Sequence, residues 1–292
     1  MFIIKYKKIF VSISVILVSL SIFSIFFFGL NLGIDFKGGS LLEVEYTNSR
    51  PEQSLIESAI KPLQLGEILV QPMGENGFSI KTRDVTEKER SSMMQALGND
   101  AVEKSFTSIG PSVGAELVRK SIISFILVAL GIIFWIAFSF RKVSKPVSSW
   151  RYGIIAIISL IHDVTISAGV FAFLGYLTGA EVDTLFVVAI LTVLGLSVSD
   201  TIVVFDRIRE NIRVGHYKTF EETVGRSLNQ VYTRSIATSS TVIIALLALV
   251  FFGPTSTRVF AIMLTAGMFF GTYSSIFLAS PLLVISKNLN KE

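Results

Sequence analysis

Two aspartates lie at the ends of stretches that are otherwise free of charge. Asp200 ends the run TLFVVAILTVLGLSVSD, and Asp163 ends the run GIIAIISLIHD. A carboxylate inside a lipid bilayer is costly, and it usually marks an ion path, a partner contact or a structural pair. These two residues are therefore the first candidates for chemistry, if the runs that contain them span a membrane.

Arg234 is the cation whose position best matches that of Asp200. Asp200 precedes Arg207 by seven residues, which is about 10 Å of helix. Arg234 follows Arg226 by eight residues on the next run, which returns in the opposite direction, so the two groups have similar depth. A nearby guanidinium favours the charged form of a carboxyl group and burial favours the neutral form, so such a pair can act as a proton switch. A permanent ion pair that orders two helices explains the same spacing.

His162 adjoins Asp163 and carries a ring that titrates near neutral pH. A proton relay through Asp163 and Asp200 is one interpretation. A satisfied polar pair inside a helix bundle is the interpretation that we favour for His162.

A charged cluster follows Asp200, and we interpret it as anchoring at the membrane surface with local ion pairing. Its members are Asp206, Arg207, Arg209 and Glu210.

The chain has the composition of a membrane protein with several spans. Of its 292 residues, 51% are hydrophobic and only 16% are charged, against roughly 25% charged in soluble domains, and the mean hydropathy is +0.65. The net charge of +4 comes from short clusters beside the apolar runs, which favours a topology signal over nucleic-acid binding. About 20 apolar residues cross a bilayer, and the runs that qualify are 9–34, 121–140, 152–176, 184–205, 235–257 and 259–286.

The basic residues predict which connections are cytoplasmic, because cytoplasmic loops carry an excess of Lys and Arg. They are Lys5, Lys7, Lys8, Arg141, Lys142, Lys145, Arg151, Arg207, Arg209, Arg213, Lys218, Arg226, Lys287 and Lys291. Both termini are therefore predicted to be cytoplasmic. The predicted organisation is a cytoplasmic tail (1–8), an uncleaved first helix (9–34), an extracytoplasmic domain (35–117) and a helical remainder (118–292) with a cytoplasmic loop at about 206–230.

The long loop at 35–117 is predicted to fold as a small α+β domain. Ser40–Tyr46 alternates apolar and polar residues as a half-buried strand does, and Pro51–Gln64 has helical spacing. Thr86 with Glu89 is a capping-box signature for a helix that reaches Leu97. Further strands are expected at 67–71, 78–83 and 102–109, with a hairpin turn at 74–77. The order β-α-β-β-α-β is that of a ferredoxin-like split βαβ unit.

Glycine-rich segments mark both edges of this domain, GIDFKGGS at 33–40 and GPSVG at 110–114. Because glycine permits backbone angles that other residues avoid, we interpret both segments as hinges. Neither is followed by the Gly-Lys-Ser/Thr of a phosphate-binding loop. The residues concerned are Asp35, Gly38, Gly39, Gly110, Pro111 and Gly114.

Two further patterns concern packing. Lys218–Asn229 is predicted to be a short amphipathic helix at the cytoplasmic surface, serving either as a solvated connector or as a docking face for a partner. Gly267-x-x-x-Gly271, extended by Ser274 and Ser275, predicts a face for close helix contact.

The chain has no cysteine, which excludes disulfides, iron–sulfur clusters and thiol nucleophiles. We predict no catalytic residue, no cofactor and no metal site.

Five motifs occur in order along the chain. They are GIDFKGG after the first span, GPSVG before the second, HD in the third, SVSDTIVVFDRIREN across the end of the fourth, and the arginine of TRSIATSST at the start of the fifth. Together they resemble the SecD/SecF family, membrane subunits of the bacterial Sec protein-export machinery, over roughly residues 30–245. The family commonly has Gly-Tyr-Ser-x-Asn-Asp where this chain has GLSVSD at 195–200, a difference that affects local hydrogen bonds but keeps the carboxylate.

The resemblance implies a place and a mechanism. Members of this family resemble half of an RND-type transporter in the bacterial inner membrane, pair with a sister subunit of the SecD type, and associate with the SecYEG channel. They draw on the proton-motive force to help exported polypeptides leave on the outer side. The family's aspartate in the fourth span and arginine in the fifth, which are linked to proton movement, correspond to Asp200 and Arg234. Its third-span aspartate corresponds to Asp163.

Two other function classes are compatible with parts of the pattern. A self-contained, proton-coupled transporter of small solutes would need a second repeat, because such transporters place their site between two repeats. An intramembrane aspartyl protease would use Asp163 and Asp200 as a dyad that shares one proton. The chain has one set of six spans, and its SVSD sequence differs from the Gly-x-Gly-Asp of such proteases, so both are weaker than an export subunit that is not an enzyme.

Overall fold

The structure is a computed structural model that describes residues 2–139, 147–215 and 217–288. The chain divides into two compact units. The helical unit comprises Met1–Asn31, Ser124–Ala180 and Leu185–Glu292, and the sheet unit comprises Leu32–Ile123 and Glu181–Thr184. Four of the basic residues used to predict topology, Arg141, Lys142, Lys145 and Lys291, lie outside the described residues.

The helices, in chain order, are α1 (Phe2–Lys5), α2 (Lys7–Phe28), α3 (Ile34–Lys37), α4 (Gln53–Ile60), α5 (Glu87–Leu97), α6 (Pro111–Ser139), α7 (Ser149–Thr178), α8 (Thr184–Val214), α9 (Phe220–Phe252), α10 (Thr255–Ser274) and α11 (Ser280–Asn288). A 3₁₀ turn follows α4 at Lys61–Leu63, and a π-helical segment at Ser275–Ala279 joins α10 to α11. Within the described residues, six helical stretches are long and apolar enough to cross a membrane: α2, α6, α7, α8, α9 and the continuous run of α10 and α11. The prediction of six apolar helices of membrane-spanning length is confirmed.

The first two spans have other ends than predicted. α2 ends at Phe28 and not at residue 34, because Gly29 takes a φ of 77° and Leu32 then pairs with Val182 as extended backbone. α6 begins at Pro111, so the last four residues of the GPSVG motif form the first turn of a helix and do not precede it. Proline suits this position, since the first amide of a helix needs no partner within it.

The connection between the fourth and fifth spans is also shorter than predicted. α8 continues to Val214 and α9 starts at Phe220, so most of the predicted loop at 206–230 is helical and Lys218–Asn229 is not a separate helix. α9 is continuous because Val224, Leu228 and Val231 are buried on one face that runs on into the span. Nothing in the sequence interrupts that face.

The sheet unit contains the strands β1 (Gly39–Tyr46), β2 (Leu69–Met73), β3 (Gly77–Thr82) and β4 (Ala101–Ile109). Their order in the sheet is β2-β3-β1-β4, and each neighbouring pair is antiparallel. The predicted order β-α-β-β-α-β is confirmed. α4 and α5 supply Ile56, Ile60 and Met93 to a core that also contains Leu42 and Phe78 from the strands. The helix predicted at 51–64 is shorter, ending at Ile60 before the 3₁₀ turn.

The predicted capping box at the start of α5 is confirmed. The Thr86 hydroxyl accepts from the Glu89 amide at 3.4 Å, and the Glu89 carboxylate accepts from the Thr86 amide at 2.8 Å. Arg83 also binds this carboxylate at 2.5 Å. The hydrogen bond from Arg83, followed by those from Thr86, lowers the pKa of Glu89 to about 2.

Candidate functional site

Asp163 lies on α7 and is almost completely buried. One carboxylate oxygen, Oδ1, is 2.8 Å from His162 Nδ1. The other, Oδ2, accepts from the Ser274 hydroxyl of α10 at 2.7 Å and from the Ser197 hydroxyl of α8. A buried carboxylate is tolerated when hydrogen bonds replace its hydration, so Asp163 is the point where three membrane-spanning helices are joined by polar contacts.

Asp200 lies on α8, one helical turn beyond Ser197, and is half-buried. Its Oδ1 accepts from the Ser235 hydroxyl of α9 at 2.6 Å, and its Oδ2 accepts from the hydroxyl of Ser275, the first residue of the π-helical segment after α10. The site at Asp200 therefore has the same design as the site at Asp163, with two serine donors from neighbouring helices.

Ser274 and Ser275 connect the two carboxylates. They are adjacent on α10 and its π-helical continuation, and successive helical residues point about 100° apart. One helix therefore reaches Asp163 with Ser274 and Asp200 with Ser275. A change in the orientation or height of this helix would alter the hydrogen bonds of both carboxylates together.

The helix loses its regular α-helical pattern at this point. The π-helical segment begins at Ser275, and the Ser280 hydroxyl donates to the Ser275 carbonyl at 3.1 Å. Single-turn π segments are frequent at functional sites. Here the irregular turn starts at the residue that binds Asp200, so it sets the direction of the Ser275 side chain.

Close packing fixes α10 against α8 in the two helical turns that precede Ser274. A Cβ atom on Gly271 would lie 3.1 Å from Ser197 Cβ, and one on Gly267 would overlap the side chain of Val193. The prediction that Gly267 and Gly271 form a close-contact face is confirmed. The small residues bring α10 near enough for its serines to reach both carboxylates.

Among the described residues no hydrogen bond or ion pair joins Asp200 to Arg234, and the role of the two residues in proton movement stays a prediction. Ser235 occupies the expected place, because it continues the buried face of α9 through Val231. Arg234 is one residue, or about 100°, away from that face and is exposed. Within the part of the chain that the structure describes, Arg234 has no hydrogen bond or ion pair.

His162 is satisfied on one side only. Its Nδ1 contacts Asp163, and its ring lies parallel to that of Tyr273 at a centroid distance of 6.2 Å. Its Nε2 is buried and has no hydrogen-bond partner among the described residues. The polar contact with Asp163 is present, but the pair is not fully satisfied, and the relay from Asp163 to Asp200 stays a prediction.

The charged cluster after Asp200 forms local ion pairs as expected. Arg207 binds Glu210 at 2.5 Å, and Arg209 binds Asp206 at 2.8 Å.

No group of three or more His, Asp or Glu side chains in the described ranges is arranged to hold a metal ion. In the same ranges no hydrogen bond joins Asp163 to Asp200, and each is held by different serines, which is unfavourable for a proton-sharing protease dyad.

The two glycine-rich segments of the sheet unit pack against each other. Gly38 and Gly39 have φ values of 78° and 134°, which side-chain-bearing residues rarely adopt. A Cβ on Gly38 would lie 2.9 Å from Pro111 Cα, and one on Gly114 would lie 2.9 Å from the Phe36 carbonyl. Close backbone approach therefore explains these glycines in the structure, and hinge motion stays a prediction. Gly110 precedes the first turn of α6, and Asp35 lies on α3.

The four serine donors, Ser197, Ser235, Ser274 and Ser275, were not predicted as site residues. Serine in a membrane span usually bonds its own helix or a neighbour, so composition gave no reason to select these four. The available signal was positional. Ser274 and Ser275 extend the Gly267–Gly271 face, and Ser235 adjoins Arg234.

Comparisons with known proteins agree on one family. Residues 89–289 match the family described as "Protein export membrane protein SecD/SecF, C-terminal", and residues 23–49 match the "SecD/SecF GG Motif". A protein named "Protein translocase subunit SecF" from Thermobaculum terrenum is 42% identical over 98% of this chain and 94% of its own length. The protein of that name from Anaerolinea thermophila is 39% identical over 94% of this chain and 90% of its own length.

A solved structure resembles the whole chain. The crystal structure of SecDF, described as a translocon-associated membrane protein from Thermus thermophilus, superposes with a TM-score of 0.81 and 30% identity over 98% of this chain. The chain spans 38% of the length of that SecDF protein. A second structure of SecDF, in a form called super-membrane-facing, gives a TM-score of 0.69 over the same share of this chain.

Proposed function

Because the chain belongs to the SecD/SecF family of protein export membrane proteins, we propose that it is an accessory subunit of the Sec export machinery that uses the proton-motive force. The observation that carries the proton role is the serine-bridged pair of carboxylates, Asp163 and Asp200, on membrane-spanning helices. Ionisable residues in spans commonly form proton paths. One elementary charge that crosses 100 mV supplies about 2.3 kcal/mol, enough to bias a two-state equilibrium strongly.

Protonation of Asp200 would change what its neighbours can do. A charged carboxylate only accepts hydrogen bonds, whereas a protonated one also donates. With a proton on Asp200, the hydroxyl of Ser235 or Ser275 must accept and turn its own proton elsewhere. Since Ser275 adjoins Ser274, which binds Asp163, a rearrangement at one carboxylate is passed to the other through α10.

The sheet unit is proposed to be a ferredoxin-like domain on the outer side of the membrane. Its strand order β2-β3-β1-β4 with two crossing helices supports that topology. The basic residues at the opposite ends of the spans, including the Arg207 and Arg209 region, support cytoplasmic termini in a bacterial inner membrane. Movement of the domain would act on an exported polypeptide as it leaves the SecYEG channel.

Arg234 supports a partner subunit of the SecD type. It is a charged residue in a membrane span, it is exposed, and it has no partner in the described parts of this chain. Charged groups in spans almost always face a bundle interior or a partner group. We infer that a second subunit, the other half of an RND-type arrangement, covers Arg234 and supplies an acceptor for it. In this arrangement Arg234 takes part in proton coupling from the subunit boundary and does not bind Asp200 directly.

The test is export into inverted membrane vesicles with and without an imposed proton-motive force. Asp200→Asn keeps the size of the side chain but cannot cycle between charged and neutral forms, so we expect the force-dependent part of export to be lost. Asp206→Asn, on the same helix but in an exposed ion pair with Arg209, is the matched control and should export normally. Both variants should co-purify with the SecD-type partner. Full force-dependent export by an assembled Asp200→Asn complex would refute the proton role.

A further inference from the structure

The segment that joins α7 to α8 is bonded to the segment that joins α2 to β1. Leu32 forms a parallel bridge with Val182, and the Gly33 amide donates to the Val182 carbonyl at 2.8 Å. A Cβ on Gly33 would lie 3.1 Å from that carbonyl, so the two backbones are in close contact. All of these residues belong to the sheet unit, which ends at Thr184, the first residue of α8.

Asp35 completes this contact with its side chain. Its Oδ2 accepts from the Thr184 amide at 2.8 Å and from the Thr184 hydroxyl at 2.6 Å. The first amides of a helix have no partner inside the helix, and a carboxylate placed there is stabilised by the helix dipole. Asp35 thus caps α8 from a position 149 residues earlier in the chain.

An ion pair reinforces the same junction. Lys81 of β3 binds Glu181 at 2.8 Å, and both side chains are mostly buried, with 19% and 22% of their surfaces exposed. The segment before α8 is therefore bonded both to the α2–β1 connection and to the sheet. An arrangement with this many short bonds does not have the looseness expected of a hinge.

We propose that Asp35 is a positioning residue that holds the start of α8 to the sheet unit throughout the export cycle. The GIDFKGGS segment then acts as a clamp on α8, in place of the hinge that its glycines suggest. The bonds that form the clamp are those of Asp35 with Thr184, Leu32 with Val182, and Lys81 with Glu181.

The clamp gives a direct mechanical path, and this step rests on the proposed proton function. α8 is uninterrupted from Thr184 to Val214 and carries Asp200 sixteen residues after its first residue, about 24 Å along the axis. A rotation or axial shift of α8 that follows protonation of Asp200 would be delivered to the base of β1 through Asp35.

The first test measures opening of the clamp in the full chain, assembled with its partner. Asp35→Ala should speed hydrogen exchange of the peptide that contains the Thr184 amide by about five-fold, the usual effect of losing a helix cap, and should lower export. Asp35→Asn, which keeps an oxygen acceptor, should be intermediate. The matched control is Asp100→Ala, an exposed aspartate in the same unit, which should change neither. Unchanged exchange at Thr184 in Asp35→Ala would overturn the proposal.

The second test replaces the clamp by a covalent bond. The chain has no cysteine, so the double variant Leu32→Cys/Val182→Cys introduces the sole thiol pair. Bridged residues on neighbouring strands lie at a spacing compatible with a disulfide. Oxidation of this pair should leave export intact and should restore export to the Asp35→Ala chain, with a reductant reversing the rescue.

Two results would contradict the clamp. If oxidation stopped export by the chain that retains Asp35, and a reductant restored it, the segment would have to open in every cycle. If the disulfide formed but did not rescue Asp35→Ala, Asp35 would act by another route. Neither result depends on Asp200, so normal export by Asp200→Asn would refute the proton role while leaving the clamp experiments interpretable.

Discussion

Gly267 offers a quantitative test of the contact that holds α10 against α8. A Cβ at this position would overlap the Val193 side chain. It would lie 2.9 Å from Val193 Cγ1 and 3.0 Å from Ser167 Oγ of α7. Carbon atoms pack best at about 3.5–4.0 Å, so Gly267→Ala forces the helices apart. Overpacking of this kind costs about 1–3 kcal/mol, and the better helix propensity of alanine returns about 0.5–1 kcal/mol. We expect a net destabilisation of about 1–2 kcal/mol.

The assay is unfolding by SDS in mixed micelles, followed through the fluorescence of the two tryptophans. Gly195→Ala on α8 is the matched control, because a Cβ there meets nothing within 4 Å. This variant should be unchanged or stabilised by about 0.5–1 kcal/mol. Gly267→Ala should also reduce export, because it moves Ser274 away from Asp163.

A double variant identifies the clash as the cause. Val193→Ala alone removes two methyl groups and should cost about 2 kcal/mol. In combination with Gly267→Ala it removes the overlapping Val193 methyl groups. The double variant should therefore be destabilised by about 1–2 kcal/mol less than the sum of the two single-variant effects. Strictly additive effects, or equal effects of Gly267→Ala and Gly195→Ala, would show that the close approach of α10 to α8 does not shape this interface.

Two further variants test other parts of the molecule. Ser275→Ala removes one of the two hydroxyl donors of Asp200 and should lower proton-driven export about ten-fold or more, since a hydrogen bond to a charged group contributes about 1.5–3 kcal/mol. Ser275→Thr, which keeps the hydroxyl, should retain most of it, and equal losses in both variants would contradict the role. Because the pKa of Glu89 is lowered to about 2 in the fold, its contribution to stability is present above about pH 4.5 and is lost as the pH falls through about 2. Protection of α5 from hydrogen exchange should therefore decline over that window in the natural chain more than in Glu89→Gln, and parallel declines would refute this role of the capping box.

Most of the fold could be predicted because its signals are local. The six apolar runs, the alternation in β1 and the Thr86–Glu89 cap each depend on residues close in sequence, and each is present in the structure. The ends of the spans were less predictable. The apolar run of the first span continues past Phe28 into residues that pair with Val182, and hydrophobicity alone cannot separate helix from extended backbone.

The candidate site was predicted in part for the same reason. Asp163 and Asp200 were recognisable because a carboxylate in an apolar run is costly. Their donors were not recognisable, since Ser235 and Ser275 come from other helices and serine is common in spans. The predicted depth of Arg234 in the membrane matches that of Asp200, because the next residue, Ser235, binds Asp200. Depth along a helix does not specify the direction of a side chain, and Arg234 points about 100° away from the face that Ser235 occupies.

The lengths of α8 and α9 have a consequence for where the bilayer ends. With 31 and 33 residues, the helices are about 46 and 50 Å long, while the hydrocarbon core is about 30 Å thick. Some 15–20 Å of each must stand clear of the lipid tails. In that part Asn211 of α8 donates to Ser227 and Gln230 of α9, both at 2.7 Å. The protein therefore has a two-helix extension beyond the lipid tails. Probes attached near the end of this extension would report small tilts of the membrane-embedded helices as much larger displacements.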